Sequence, residues 1–214
     1  MAGDRSSRVG AFVGLGVVAF LVGLATQRHV WRHLETLGVS YPSELVAFLD
    51  TLGVAAVLAF VAGALGRRWW QAVIAGPTAI LVSFVGYYVA FDTATGPTGA
   101  AKWIVLALVA GPAVGVVGWW WSRRGVWWLA GVPVGFLGAD LIGLVLDHET
   151  LPSVRAADIT TSSIAVVLAL LVFGRGPLRR RVLLVPVAAA AALVLFLLET
   201  LAVMPLLRWL GSVL

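Results

Sequence analysis

The chain has 214 residues, of which 61% are hydrophobic and only 12% charged, with a mean hydropathy of +1.00. So little polar material cannot form the shell of a soluble domain, and that class is excluded. The formal net charge of +5 raises the nucleic-acid class. The basic residues, however, sit at the ends of apolar runs, where orientation and anionic lipid headgroups account for them, so no nucleic acid is implied. Cysteine is absent, which removes disulfides, thiolate metal sites and thiol catalysis. Lys102 is the sole lysine and asparagine is missing, a bias that points to a GC-rich bacterial genome and hence a bacterial plasma membrane.

Seven apolar runs follow, most near or above the ~18 residues that separate a transmembrane helix from a buried core helix. The first covers about 9–26, behind Arg5 and Arg8. A cleaved signal peptide shows the same basic start, but this run exceeds the ~7–15 residues of a signal h-region, which favours an uncleaved anchor. The second, 44–66, ends at Arg67-Arg68; the third, 69–91, opens on Trp69-Trp70 and carries Gly76-Pro77. The fourth, 102–121, contains Gly111-Pro112 and ends before Arg123-Arg124. The fifth spans 125–146. The sixth, 159–174, is the shortest; Thr160 to Ser163 can cap its entrance or line a polar face, and Arg175 closes it. The seventh, 182–204, follows Arg179-Arg180-Arg181. The expected architecture is a single all-α domain over 1–214, a polytopic membrane bundle of seven transmembrane helices.

Two runs separate each arginine cluster from the next, so every cluster falls on one side of a membrane. Arg5, Arg8, Arg67, Arg68, Arg123, Arg124, Arg175, Arg179, Arg180 and Arg181 share that side, against Arg28, Arg32, Lys102, Arg155 and Arg208 on the other. Short loops orient by their Lys and Arg content, so the N-terminus is expected in the cytoplasm and the C-terminus outside. Seven tryptophans, Trp69, Trp70, Trp119, Trp120, Trp121, Trp127 and Trp128, flank the arginine clusters, as an interfacial aromatic belt would. The arginines themselves need no role beyond orientation and lipid contact.

Small residues mark which helices lie inside the bundle. Gly131, Gly135, Ala139 and Gly143 recur every fourth residue in the fifth run; Gly111, Gly115 and Gly118 stripe the fourth, and Gly10 and Gly14 the first. Such stripes let backbones approach closely in lipid. Val57 to Gly63 echoes Val105 to Gly111, and Val167 to Leu170 begins similarly; Pro77 and Pro133 each lie nine residues after an arginine pair. Either the runs form three related, parallel hairpins, or apolar segments built from four letters match by chance.

Once the arginines define an inner side, every acid except Asp4 falls in the outer half or the outer loops. Asp140 is singular: it lies about two thirds along the fifth run, with no adjacent cation in sequence. A charge near mid-bilayer costs at least ~2.5–3.5 kcal/mol on insertion scales, so the group must be protonated, paired, hydrated or bound. Glu199 in the seventh run, Asp50 in the second and Tyr87 in the third also lie toward the outer side. Together they could line an outward cavity suited to a cation, a protonated amine or a hydrogen-bonding solute. The alternative for Asp140 is a protonated acid hydrogen-bonded to a hydroxyl on another helix.

His29 and His33 are spaced i,i+4, a metal-compatible spacing. Arg28 and Arg32 oppose a cation there, and an interfacial turn around Trp31 explains the segment more simply, so no metal is assigned. Lys102 sits at a run end, Ser83 and Ser162/Ser163 lack an embedded histidine, and neither a His-Glu-x-x-His run nor a Walker loop is present. No enzymatic activity and no cofactor are implied.

Several short motifs carry a resemblance over Glu44 to Val145. They are Phe60 to Leu65 before Arg67-Arg68, Gly86-Tyr87-Tyr88, Ala110-Gly111-Pro112 with Gly115, Gly118 and Trp120, and Gly135 with Gly138 and Asp140. In these the chain resembles a domain-of-unknown-function family of uncharacterised multi-pass membrane proteins of high-GC Gram-positive bacteria. That family often has glutamate where Asp140 stands, and it implies no activity. In size and small-residue packing the chain is also similar to substrate-binding membrane components of vitamin and metal uptake systems, without their ligand motifs.

The sequence thus leads to an uncharacterised integral membrane protein, a small-solute binding or transport-related protein with Asp140, Glu199, Tyr87 and Asp50 as candidate ligand contacts. A non-catalytic structural or accessory subunit is the first alternative, and an intramembrane enzyme using Asp140 as a lone acid the second. Expected partners are the lipid bilayer, a small or cationic solute, and a membrane-protein partner or a second copy.

Overall fold

A computed structural model describes residues 3–25, 52–89, 97–146, 152–174, 178–198 and 201. Every element among them is helical. The helices are α1 (Gly3–Ala25), α2 (Leu52–Leu65), α3 (Trp69–Val89), α4 (Pro97–Arg124), α5 (Gly131–Leu146), α6 (Pro152–Phe173) and α7 (Leu178–Leu198), with a 3-10 turn at Trp127–Ala130 leading into α5. Each coincides with one of the seven apolar runs. The sixth run departs most: α6 begins at Pro152 rather than near 159, so Thr160 to Ser163 do not cap it. Instead they lie inside the helix, where Ser162 is buried.

Two helical segments, Trp69–Gly86 and Trp127–Leu146, are long and apolar enough to cross a membrane; four further apolar stretches among the described residues are shorter. The exterior is strongly apolar. Among the described side chains of α7, Leu184, Ala188 and Ala192 are buried, one residue per turn, while Val182, Leu183, Val185, Leu193, Val194 and Leu197 are exposed. On α6, Ala169 and Phe173 face inward and Ile164, Val167, Leu168, Leu171 and Val172 outward.

The helices form two groups. α2, α3 and α4 pack on one another, with α1 against α3; α5 carries α6 and α7, which scarcely touch each other. The groups meet chiefly along α2 and α5. α4 and α5, consecutive in sequence, do not form a packed hairpin. Of the three proposed hairpins, only α2–α3 packs closely along its length.

Small residues set the closest approaches. A Cβ at Gly63 would run into the backbone of Gly115, one at Gly76 into Gly111, and one at Gly118 into the Phe60 carbonyl. In α5 the stripe meets α7: Gly131 faces Val187 and Ala188, and Gly135 faces Ala191. The stripe of α1 differs from expectation. A Cβ at Gly10 or Gly14 would meet no atom within 4 Å, nor would one at Gly143. There the glycines border open space rather than a neighbouring helix.

Contacts put the described arginine-bearing turns at one end of the bundle. Phe20 lies against Gly86, and Phe12 shares a cleft with Trp70, so α1 runs parallel to α3. The facing pairs between α5 and α7 rise together in sequence, so these two are parallel as well. Gly125, with φ of 63°, ends α4 after Arg124 in the left-handed conformation that a helix C-terminus favours.

Candidate functional site

Asp140 sits in α5 on the face toward α2. Its Oδ2 accepts the Gly53 backbone N–H at 2.8 Å. Gly53 lies on α2, among the first residues of that helix that the structure describes. The carboxylate therefore ties α5 to the α2 backbone, 87 residues away in sequence. Glycine is required at this approach, because a Cβ at Gly53 would clash with Asp140 Oδ2 and lie 2.9 Å from Leu137 Cδ2.

This geometry answers the question posed by a lone acid in an apolar run. A buried backbone N–H is costly if left unpaired, and Asp140 accepts one. By helical rise, Gly53 and Asp140 both stand about 20 Å from the arginine end. Asp140 is also only half-buried.

Of the other candidate contacts, Asp50 and Glu199 fall outside the described residues, as do His29, His33 and His148. Tyr87 lies on α3, one residue after Gly86, but its side chain is outside the described set. Asp50 is three residues before Gly53 in sequence. Among the described residues, no three His, Cys, Asp or Glu side chains group to hold a metal.

The opposite end of the bundle holds polar bonds that the sequence did not reveal. Gln71 Oε1 accepts the backbone N–H groups of Arg67 (2.8 Å) and Arg68 (3.2 Å), in the manner of a capping box at the start of α3. From α4, Ser122 Oγ donates to the Ala64 carbonyl at 2.8 Å, Trp119 Nε1 to Arg67 at 3.2 Å, and Arg123 Nε to Gly66 at 3.2 Å. These donors satisfy carbonyls that the end of α2 leaves open. Arg123 thus has a structural role, contrary to the expectation that the arginines serve orientation alone.

Phe60, Trp121 and Phe173 meet at this end, with ring centroids 5.4 to 5.9 Å apart. They tie α6 to α2 and α4. Trp69, Trp70, Trp120 and Trp128 are exposed, whereas Trp121 turns inward. Among the described residues, the aromatic trio at the arginine end and Asp140–Gly53 toward the other both bridge the helix groups.

Residues 38–204 match DUF6518, a family of unknown function. The chain belongs to this family. The match extends beyond the stretch whose motifs carry the resemblance and takes in the aromatic trio, the Asp140–Gly53 bond and all of α7. No curated protein and no solved structure matches the chain.

Proposed function

We infer that this DUF6518 member is a multi-pass protein of a bacterial plasma membrane, with seven spans, a cytoplasmic N-terminus and an external C-terminus. Its exposed apolar faces on α6 and α7 support the reading, because such surface is stable in lipid and a liability in water. The shared end of the arginine-bearing turns supports the orientation.

Within that frame the protein is a non-catalytic, small-solute binding or transport-related protein, with Asp140 as its anchor. One observation carries this reading: a half-buried carboxylate stands at the contact between two helix groups, bonded to the Gly53 backbone N–H. Solute sites in transporters recur at interfaces between packed helix units. The carboxylate selects for a cation or a protonated amine. Asp50, Glu199 and Tyr87 are proposed as further contacts.

A screen of organic amines and metal cations for thermal stabilisation of the purified protein tests this. Asp140→Asn keeps an acceptor for Gly53 but removes the charge, so it should fold at wild-type yield and lose the ligand response. Retention of that response, or failure of the variant to fold, contradicts the anchor role. The second reading, an accessory subunit, is favoured by the Gly53 bond itself, which already engages the carboxylate. It predicts a normal Asp140→Asn variant and a partner that co-purifies at fixed ratio.

A further inference from the structure

Among the described residues, one polar side chain lies in the buried interior: Ser162 of α6, 3% exposed. Its hydroxyl makes no hydrogen bond among the described residues. A helical hydroxyl has a ready local partner in the carbonyl four residues back, the bond that Thr78 makes to Ile74 at 2.7 Å. Ser162 forgoes it. A buried hydroxyl left unpaired is costly, and in a native interior it marks a place where a further molecule completes the bonding.

The fold sets that hydroxyl near Asp140. α6 packs on α5, the helix that carries the carboxylate. Ser162 shares one stripe of α6 with Val166, Ala169 and Phe173, and this stripe enters the core. The ring contact between Phe173 and Phe60 puts α6 and α2 in register. From that level Ser162 is eleven residues along α6 and Gly53 seven along α2, about 16 Å and 10 Å by helical rise. Ser162 therefore stands about 6 Å, one helical turn, beyond the Gly53 N–H that Asp140 accepts.

A half-buried carboxylate and, one turn farther out, a buried hydroxyl with unspent bonding capacity together specify more than a cation. We propose that Ser162 is a second polar contact of the Asp140 site, and that the site takes an amine carrying a further hydrogen-bonding group. The ammonium pairs with Asp140, and the second group bonds to Ser162. A bare metal cation or a simple alkylamine would answer the carboxylate and leave the hydroxyl unpaired. Few, separated polar groups in an apolar site fix a ligand's orientation, and a site built to bond a hydroxyl discriminates against the analogue that lacks it.

The inference rests on the reading of Asp140 as a solute anchor. It is tested on the detergent-purified protein by calorimetric titration with aminobutanol and with pentylamine, in which a methyl group replaces the hydroxyl. Wild type should bind aminobutanol about tenfold more tightly, the worth of one hydrogen bond. Ser162→Ala should lower aminobutanol affinity to that of pentylamine and leave pentylamine affinity unchanged. Because it removes a hydroxyl that bonds nothing in the protein, it should also melt at or above the wild-type temperature. Lower melting, or loss of the folded variant, would show that the hydroxyl serves the protein's own packing and overturns the proposal. So does an aminobutanol preference that survives in Ser162→Ala. Equal binding of both amines by wild type, lost in Asp140→Asn, removes Ser162 from the site, assigns its hydroxyl to a buried water and leaves the anchor role standing. Binding of neither amine defeats the anchor reading together with this inference.

Discussion

At the scale of single residues, the bond between Asp140 and Gly53 decides how the apolar interior tolerates an acid. Replacing Asp140 by leucine removes the acceptor and strands a buried N–H, a loss of about 1–3 kcal/mol. The melting temperature in detergent should fall for Asp140→Leu and change little for Asp140→Asn; equal melting of the two would show that the bond is not stabilising. Gly53→Ala should destabilise as much as Asp140→Leu, since its methyl would occupy the space of Oδ2. The prominence of Asp140 was legible in the sequence, because a carboxylate within an apolar run stands out. Its partner was not. A backbone N–H carries no side-chain signature, and the 87 residues between them leave no spacing to read.

At the scale of elements, the aromatic trio and the donors of α4 hold the arginine end together. Phe60, fully buried and in ring contact with Trp121 and Phe173, should cost about 3–5 kcal/mol when truncated to alanine. Ser122→Ala should cost only about 1 kcal/mol, the net worth of one hydrogen bond. Detergent melting curves of the two variants check the order, and a reversal would mean that polar bonds, not ring packing, secure this end. The helices themselves were readable, because long apolar runs between basic clusters have few alternatives. Where the reading failed, polarity misled it. Arg155 and Asp158 lie within α6 but suggested a loop, although Pro152 signals a helix start. The glycines of α1 formed a stripe like those of α4 and α5, yet spacing alone does not say whether a neighbour arrives to fill it.

At the scale of the whole molecule, α2 and α5 join two helix groups, and the arginine-bearing turns gather at one end of the bundle. The proposed outward solute site at Asp140 depends on that end facing the cytoplasm. The chain has no cysteine, so any introduced cysteine is the sole reporter of its own position. Arg68→Cys and His148→Cys, each labelled with a membrane-impermeant maleimide in intact spheroplasts, test the orientation most directly. The account predicts that Cys at 148 reacts at once, while Cys at 68 reacts only after permeabilisation. Labelling of both from the same side, or the inverse pattern, would contradict it.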